Sequence, residues 1–316
     1  MIRFFAERVI GLILVLFAVS AIIFSLGSLI PGDLATILVG SEGATPEQFE
    51  RVREELGLND PLVVQYARWM GGVVQGDFGV SPITGRSVNA ELASQVPVSL
   101  ELTFLALLVS TLIGVPLGIL AAVHANKVWD FAIRAVLLVG FSVPIFVAGI
   151  LLLLFGSKYL TPLYAATYTP ISQDLTENLR AMFLPVLSIA IPVSAMTMQM
   201  TRTSMLETLG QPFITMARAK GARRRSVLYI HALKNAMSPV LTLLGFQFGI
   251  LLGGLFVVEA IFSLPGVGRG LLVAIGQRDY PLVMAITMVI ATAFVVVNVI
   301  VDLLYPVLDP RQRATR

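Results

Sequence analysis

Residues 236–258 read AMSPVLTLLGFQFGILLGGLFVV, and no charged side chain interrupts them. A helix of that length can cross the roughly 30 Å hydrocarbon core of a lipid bilayer. Residues 217–236, directly before it, read ARAKGARRRSVLYIHALKNA and carry five basic residues between Arg218 and Arg225. Together the two segments predict a membrane-spanning helix that follows a basic segment at a membrane surface.

Five more windows share the length and the lack of charge of this segment. The whole chain is 56% hydrophobic and 13% charged, whereas soluble globular domains average about 25% charged residues. The windows are continuously apolar rather than alternating, which favours helices over a β-barrel. We therefore predict an all-α integral membrane protein with six transmembrane helices. Their approximate ranges are 9–30, 102–123, 135–156, 181–201, 236–258 and 282–301.

The distribution of basic residues predicts the orientation of these helices. With six spans, the segments on the side of the N-terminus hold the larger share of the lysines and arginines, and such an excess marks the cytoplasmic side. We expect both termini, segment 202–235 and tail 307–316 to be cytoplasmic. The first window also resembles a signal peptide, but its apolar run continues to Ile30, which favours a retained helix in 1–30.

Segment 31–98 is predicted to form a small external subdomain of two helices and a loop. Thr45, Pro46 and Gln48 match the N-cap, first helical position and capping box of a helix. Acidic residues outnumber basic ones in this segment, so its surface is either simply solvated or a contact surface for an external partner. Glu259 follows the end of a span and is expected at the membrane interface.

Prolines and glycines recur in the windows. Gly114 and Gly118 are spaced for close helix packing or for a moving interface. Proline removes a backbone donor and kinks a helix, which membrane helices tolerate where neighbours satisfy the freed carbonyls. The prolines in or beside the spans are Pro116, Pro144, Pro185, Pro192 and Pro239.

The motifs of several catalytic classes are absent from the sequence. It has no GxxxxGK[ST] phosphate-binding loop, no HExxH, no GxSxG and no cysteine, and these motifs carry nucleotide, zinc and serine-hydrolase chemistry. No ionisable residue lies inside a window, which counts against an intramembrane hydrolase and an ion-coupled carrier. We predict no catalytic residue, no metal and no cofactor in this chain. Five cations without base-reading elements also do not predict nucleic-acid binding.

A few polar and methionine residues do lie within the windows. Their flexible or hydrogen-bonding side chains suit a path for varied solutes, although helix packing explains them equally well. The candidates for a translocation path are Met196, Gln199, Met200, Gln247 and Asn298.

The basic segment resembles the EAA loop of ABC importer permeases, in the form used by dipeptide and oligopeptide permeases. The matching residues include Gly221 and the run HALKNA from His231 to Ala236. The likeness to the B-type peptide permease subunit extends over nearly the whole chain. It is carried by IPGDLA at 30–35, LGLNDPLVVQYARWMGGVVQGDFGVS at 56–81, PVSLELTFLAL at 97–107 and VEAIFSLPGVGRGLLVAIGQRDYPLV at 258–283. The glutamate that names the loop is absent.

This resemblance implies a type I importer permease fold over residues 95–306 and a set of partners. They are a second homologous permease, two cytoplasmic ATPases that bind ATP, an external solute-binding protein and membrane lipid. The loop would couple to the ATPases through a short helix from Pro212 to Gly221, with Phe213, Met216 and Ala217 on one face. The implied coupling residues are Pro212, Phe213, Met216, Ala217, Arg218, Ala219, Gly221, Arg223, His231 and Asn235.

Other functions remain open at this point. Apolar spans without ionisable residues, joined by a basic loop, also fit a stand-alone channel or carrier. They equally fit a scaffold that recruits a cytoplasmic protein. Within the importer family, the solute is expected to be a peptide, with a nickel complex or glutathione as alternatives. Arg223, Arg224 and Arg225 alternatively serve only to set the topology.

Overall fold

The computed structural model describes residues 2–29, 45–55, 57–164 and 166–308. Residue 30 of the predicted first span, residues 31–44 of the predicted external segment and residues 309–316 of the predicted tail lie outside this range. The described chain is helical, apart from loops and one isolated β-bridge between Val80 and Ser87. In chain order the helices are α1 Ile2–Leu29, α2 Pro46–Glu55, α3 Leu62–Val74, α4 Val88–Val123, α5 Val128–Ser142, α6 Ile145–Tyr159, α7 Thr161–Tyr164, α8 Leu175–Leu209, α9 Pro212–Ala219, α10 Arg224–Gly254, α11 Phe256–Ile261, α12 Val267–Gln277 and α13 Tyr280–Leu308.

Four of the described helices are long and apolar enough to cross a membrane. They are α4, α8, α10 and residues 280–301 of α13, and each contains most or all of a predicted window. The pair α5 and α6 adds a fifth span if it is counted as one. In α1 the apolar stretch Ile10–Ser25 is shorter than these. The all-α prediction is therefore confirmed, with four or five candidate spans among the described residues.

The predicted single helix over 135–156 is wrong. The chain there forms α5 and α6, whose axes are bent by 93° at the break. Val143 has extended backbone angles (φ −83°, ψ 121°), and Pro144 follows with φ −56° and ψ 140°. Proline disfavours helical geometry in the residue before it, so Pro144 ends one helix and starts the next.

The predicted limits of the other spans also need correction, because several helices continue beyond the membrane-length windows. Arg202, predicted to lie in a loop, is part of α8. The residues around His231, also predicted within segment 202–235, form the opening of α10, in which Val227–Ala232 is π-helical. At its other end α10 stops at Gly254, before the predicted limit of 258. Helix boundaries follow hydrogen bonding rather than bilayer thickness.

The chain divides into two compact units, of which the first comprises 1–97 and 265–295. Here α3 packs on α1 through an aromatic cluster in which Tyr66 lies edge-on to Phe17 and Phe24. The Ser20 and Tyr66 hydroxyl oxygens are 2.8 Å apart, so one hydroxyl donates a hydrogen bond to the other. The predicted capping box is confirmed, since the Thr45 amide donates to Gln48 Oε1 at 3.0 Å.

The second unit comprises 98–264 and 296–316 and is built around α8. In the most apolar window of α8, 78% of the residues are buried, and α5, α6 and α10 pack against this helix. Pro185 and Pro192 lie inside α8 without ending it. Gly114 and Gly118 of α4 face α8 so closely that the glycines are needed there. This rigid centre positions the basic segment that follows α8.

Candidate functional site

Helix α9 is seated in the second unit by one side chain. Ile214 is fully buried and packs with Ala122, Met205, Val227 and Ala232. The helix begins at Pro212, as predicted, because proline needs no hydrogen-bond donor in the first turn. Ile214 was not among the predicted coupling residues, although it is an aliphatic residue within a short predicted helix.

The face of α9 opposite Ile214 is exposed. It consists of Pro212, Thr215, Met216 and Ala219, which follow the i, i+3, i+4, i+7 spacing of one helix face. Met216 is 60% exposed. Phe213 and Ala217, which were predicted to share a docking face with Met216, are half-buried instead. The free surface is thus narrow and built from small or unbranched side chains, apart from Thr215.

Gly221 reverses the chain after α9. Its φ is +79°, and a Cβ placed there would meet nothing within 4 Å. The Ala222 amide then donates to the Ala217 carbonyl at 3.1 Å, which closes the end of the helix. Glycine is required at this position because of its backbone angle rather than because of space.

We expect substitutions of Gly221 to be ranked by backbone strain. Gly221→Asn should cost less than Gly221→Val, because asparagine tolerates positive φ and β-branched residues do not. A difference of about 1 kcal/mol between the variants is expected. Thermal unfolding of the two purified variants measures it. Equal destabilisation of both variants would contradict this account of the turn.

The predicted residues His231 and Asn235 belong to the first turns of α10. The π-helical segment that includes His231 contacts α9. The side-chain amide of Asn235 donates to the His231 carbonyl at 2.6 Å. Single π-turns within α-helices occur frequently at functional sites. The structure therefore brings all ten predicted coupling residues together on α9, its following turn and the start of α10.

A buried ion pair fixes the end of α8 that leads to α9. Asp130 on α5 is 0% exposed and accepts two hydrogen bonds from Arg202, at 2.7 Å from Nε and 2.8 Å from Nη2. The Asn126 amide, at a residue with φ +63°, also donates to Asp130, at 3.0 Å. Arg134 Nε lies 3.1 Å away without hydrogen-bonding geometry. No sequence spacing indicated this pair, because its members are far apart in the chain.

The interfacial depth expected for Glu259 stays a prediction, but its side chain does not face the surface. Glu259 is fully buried, and the Ser99 hydroxyl donates to its Oε1 at 2.5 Å. A buried carboxylate requires such partners because the loss of its hydration is costly. The helix containing Glu259 follows directly after α10, which turns the carboxylate into the unit.

The predicted translocation residues are only partly brought together. Met196, Gln199 and Met200 share one face of α8, the α8 stripe, on which Met196 and Gln199 are exposed and Met200 is half-buried. Gln247 on α10 is 5% exposed, and both its amide atoms lack a hydrogen-bond partner among the described residues. Asn298 lies half-buried on α13. The three α8 residues thus share one face, whereas Gln247 and Asn298 lie on two other helices.

Comparison with known proteins assigns the chain to a family. Residues 114–314 match the family of binding-protein-dependent transport system inner membrane components, and residues 1–103 match the N-terminal domain of the same components. Among solved structures, a chain of an amino acid ABC transporter crystallised with histidines aligns with TM-score 0.50 and 19% identity. The alignment covers 68% of this chain and 92% of that one, so it supports a similar fold.

Three curated relatives match nearly the full length. A probable peptide ABC transporter permease protein of Sinorhizobium fredii is 37% identical over 97% of this chain and 98% of its own length. The dipeptide transport system permease protein of Escherichia coli K12 is 36% identical over 99% of both chains. A putative peptide transport system permease protein of Brucella abortus is 38% identical over 97% and 98%. The chain belongs to the family of binding-protein-dependent transport system inner membrane components.

Proposed function

We propose that this chain is the permease subunit of an ATP-driven ABC importer for dipeptides and oligopeptides. The names of the full-length relatives support the peptide as solute. As a member of its family the chain is a non-catalytic, multi-pass membrane component that binds no cofactor itself. ATP is bound and hydrolysed by partner subunits.

The proposal includes six membrane spans in the type I importer permease fold, with 1–30 as the first span and 31–98 as an external subdomain. The long apolar α1 supports the first span, and the bent pair α5 and α6 supports a single broken span. Both termini and segment 202–235 would face the cytoplasm, in accordance with the basic residues. A nickel complex or glutathione is the alternative solute.

The observation that carries the proposal is the geometry of α9. A single buried anchor, Ile214, and an exposed face of Pro212, Thr215, Met216 and Ala219 form a short helix that fits a groove on another protein. Because α8 leads directly into α9, a push on the exposed face would move α8 as a rigid body. Two cytoplasmic ATPases would deliver that push after ATP binding.

The proposed path lies between this chain and a second, homologous permease. The α8 stripe with Met196, Gln199 and Met200 supports this placement, because Met196 and Gln199 are exposed although 78% of the residues in the most apolar window of α8 are buried. An external solute-binding protein would deliver the peptide to the outer end of the path. Gln247 on α10 and Asn298 on α13 are proposed as further residues of this path.

We expect Met216→Asp to abolish ATPase association without destabilising the chain, because Met216 is exposed and anchors nothing. The measurement is the amount of ATPase subunit that copurifies after coexpression, together with ATP-dependent dipeptide uptake in proteoliposomes. Val63→Asp is the matched control, since Val63 is an exposed apolar residue of α3 in the other unit. It should retain full ATPase association.

Ile214→Asp separates coupling from folding. This variant should lower the thermal stability of the chain by burying a carboxylate in an apolar cluster, whereas Met216→Asp should not. Undiminished ATPase association and uptake in Met216→Asp would refute the role of α9. Flux of dipeptide through the purified chain alone, without ATPases, would refute the importer.

A further inference from the structure

A cavity of about 440 Å³ lies beside α9 in the second unit. Its walls come from the ends of several helices. The residues that matter for its chemistry are Val123, Leu209, Arg218, Arg224, Val227 and Leu228. Two guanidinium groups and four aliphatic side chains thus share one open space, which is large enough for a small organic group.

The positive charge at this cavity is not neutralised by nearby acids. Across the described ranges, no ion pair joins Arg218 or Arg224 to a carboxylate. The sequence holds no aspartate or glutamate between Glu207 and Glu259. The cavity can therefore accept an anionic occupant from outside this segment.

The level of the cavity indicates the class of occupant. Val123 is the last residue of the span α4 and of its apolar window 102–123, whereas Arg224 begins α10 twelve residues before the window 236–258. Trp129, 66% exposed, lies in the first turn of α5, six residues after Val123, and tryptophan favours the headgroup level of a membrane. Basic pockets at helix ends at this level suit anionic lipid headgroups.

We propose that this cavity binds the headgroup of an anionic phospholipid. The phosphodiester would pair with Arg218 and Arg224, and the glycerol and first acyl carbons would lie against Val123, Leu209, Val227 and Leu228. An acidic side chain of a protein would satisfy the arginines but would leave these aliphatic walls without an apolar partner. Because Arg218 lies on α9, the bound lipid would hold this helix against the second unit.

The test measures lipid binding by the assembled complex. The complex is reconstituted in nanodiscs of phosphatidylcholine with increasing phosphatidylglycerol, and the phosphatidylglycerol retained after detergent extraction is counted by native mass spectrometry. The double variant Arg218→Gln/Arg224→Gln should bind phosphatidylglycerol roughly 30-fold more weakly, the equivalent of about 2 kcal/mol. The double variant Arg218→Lys/Arg224→Lys should retain most of the binding.

Lys220→Gln/Arg225→Gln is the matched control, because it removes the same charge from the same segment outside the cavity lining and spares the predicted coupling residues. It should bind phosphatidylglycerol nearly as well as the wild type. Equal loss in both glutamine variants would overturn the proposal in favour of diffuse electrostatics. Unchanged lipid binding with loss of the ATPases from Arg218→Gln/Arg224→Gln would identify a protein partner instead. Competition by soluble glycerol phosphate at the concentration of the lipid would also overturn it.

Discussion

Asp130→Ala is expected to destabilise the chain by about 3–5 kcal/mol, because it leaves the guanidinium of Arg202 without its carboxylate. Arg202 is only 13% exposed, so water replaces the lost partner poorly. The Asn126 amide loses its acceptor as well. The thermal unfolding temperature of the chain in nanodiscs measures the effect.

Removing both charges should restore most of this stability. In Asp130→Leu/Arg202→Met no charge remains buried without a partner, and an apolar pair of similar volume is often as stable as the ion pair it replaces. Arg180→Gln is the control for an ordinary surface pair, since Arg180 is half exposed beside Glu177, and exposed pairs contribute at most about 1 kcal/mol. A loss in Asp130→Ala no larger than in Arg180→Gln would contradict the role of the buried pair.

Gly118→Ala is expected to destabilise the second unit by about 1–3 kcal/mol through overpacking. A Cβ at Gly118 would lie 2.7 Å from the Met198 carbonyl oxygen and 2.6 Å from Thr201 Cβ. Backbone cannot rotate away as a flexible side chain can, so α4 and α8 must separate. A Cβ at Gly114 would lie 2.8 Å from the Ser194 carbonyl oxygen, so Gly114→Ala should destabilise the unit in the same way.

The same substitution elsewhere should have the opposite sign. Gly71 lies in α3, and a Cβ there meets nothing within 4 Å. Gly71→Ala should therefore stabilise the chain by about 0.5–1 kcal/mol, because alanine loses less backbone entropy in a helix. The unfolding temperatures of Gly118→Ala, Gly114→Ala and Gly71→Ala test these opposite effects. An unfolding temperature of Gly118→Ala as high as that of the wild type would mean that α4 and α8 are not in backbone contact.

The sequence predicted the class of fold and the place of the candidate site. Absence of charge over helix-length windows forces backbone hydrogen bonds to close within each segment, which makes these windows helical whatever surrounds them. Pro212 and Gly221 delimited α9 because their backbone preferences act locally. The same holds for the capping box at Thr45 and Gln48.

Contacts between distant residues could not be predicted in this way. Asp130 and Arg202 lie 72 residues apart in the chain, and neither has a neighbour that indicates the other. The outward face of α9 depends on the apolar cluster in which Ile214 is buried. The sequence alone therefore did not indicate that Phe213 and Ala217 are half-buried. The burial of Glu259 likewise depends on Ser99, which lies in a different helix.

The prolines separate the two kinds of information most clearly. Pro144, Pro185 and Pro192 all remove one backbone donor, and each disfavours helical geometry in the residue before it. Pro144 breaks the chain into α5 and α6, whereas Pro185 and Pro192 lie within an unbroken α8. Sequence determined where the helical hydrogen bonding is weakened. Tertiary packing decided which weak point bends, because α8 is enclosed by its neighbours and the Val143–Pro144 junction is not.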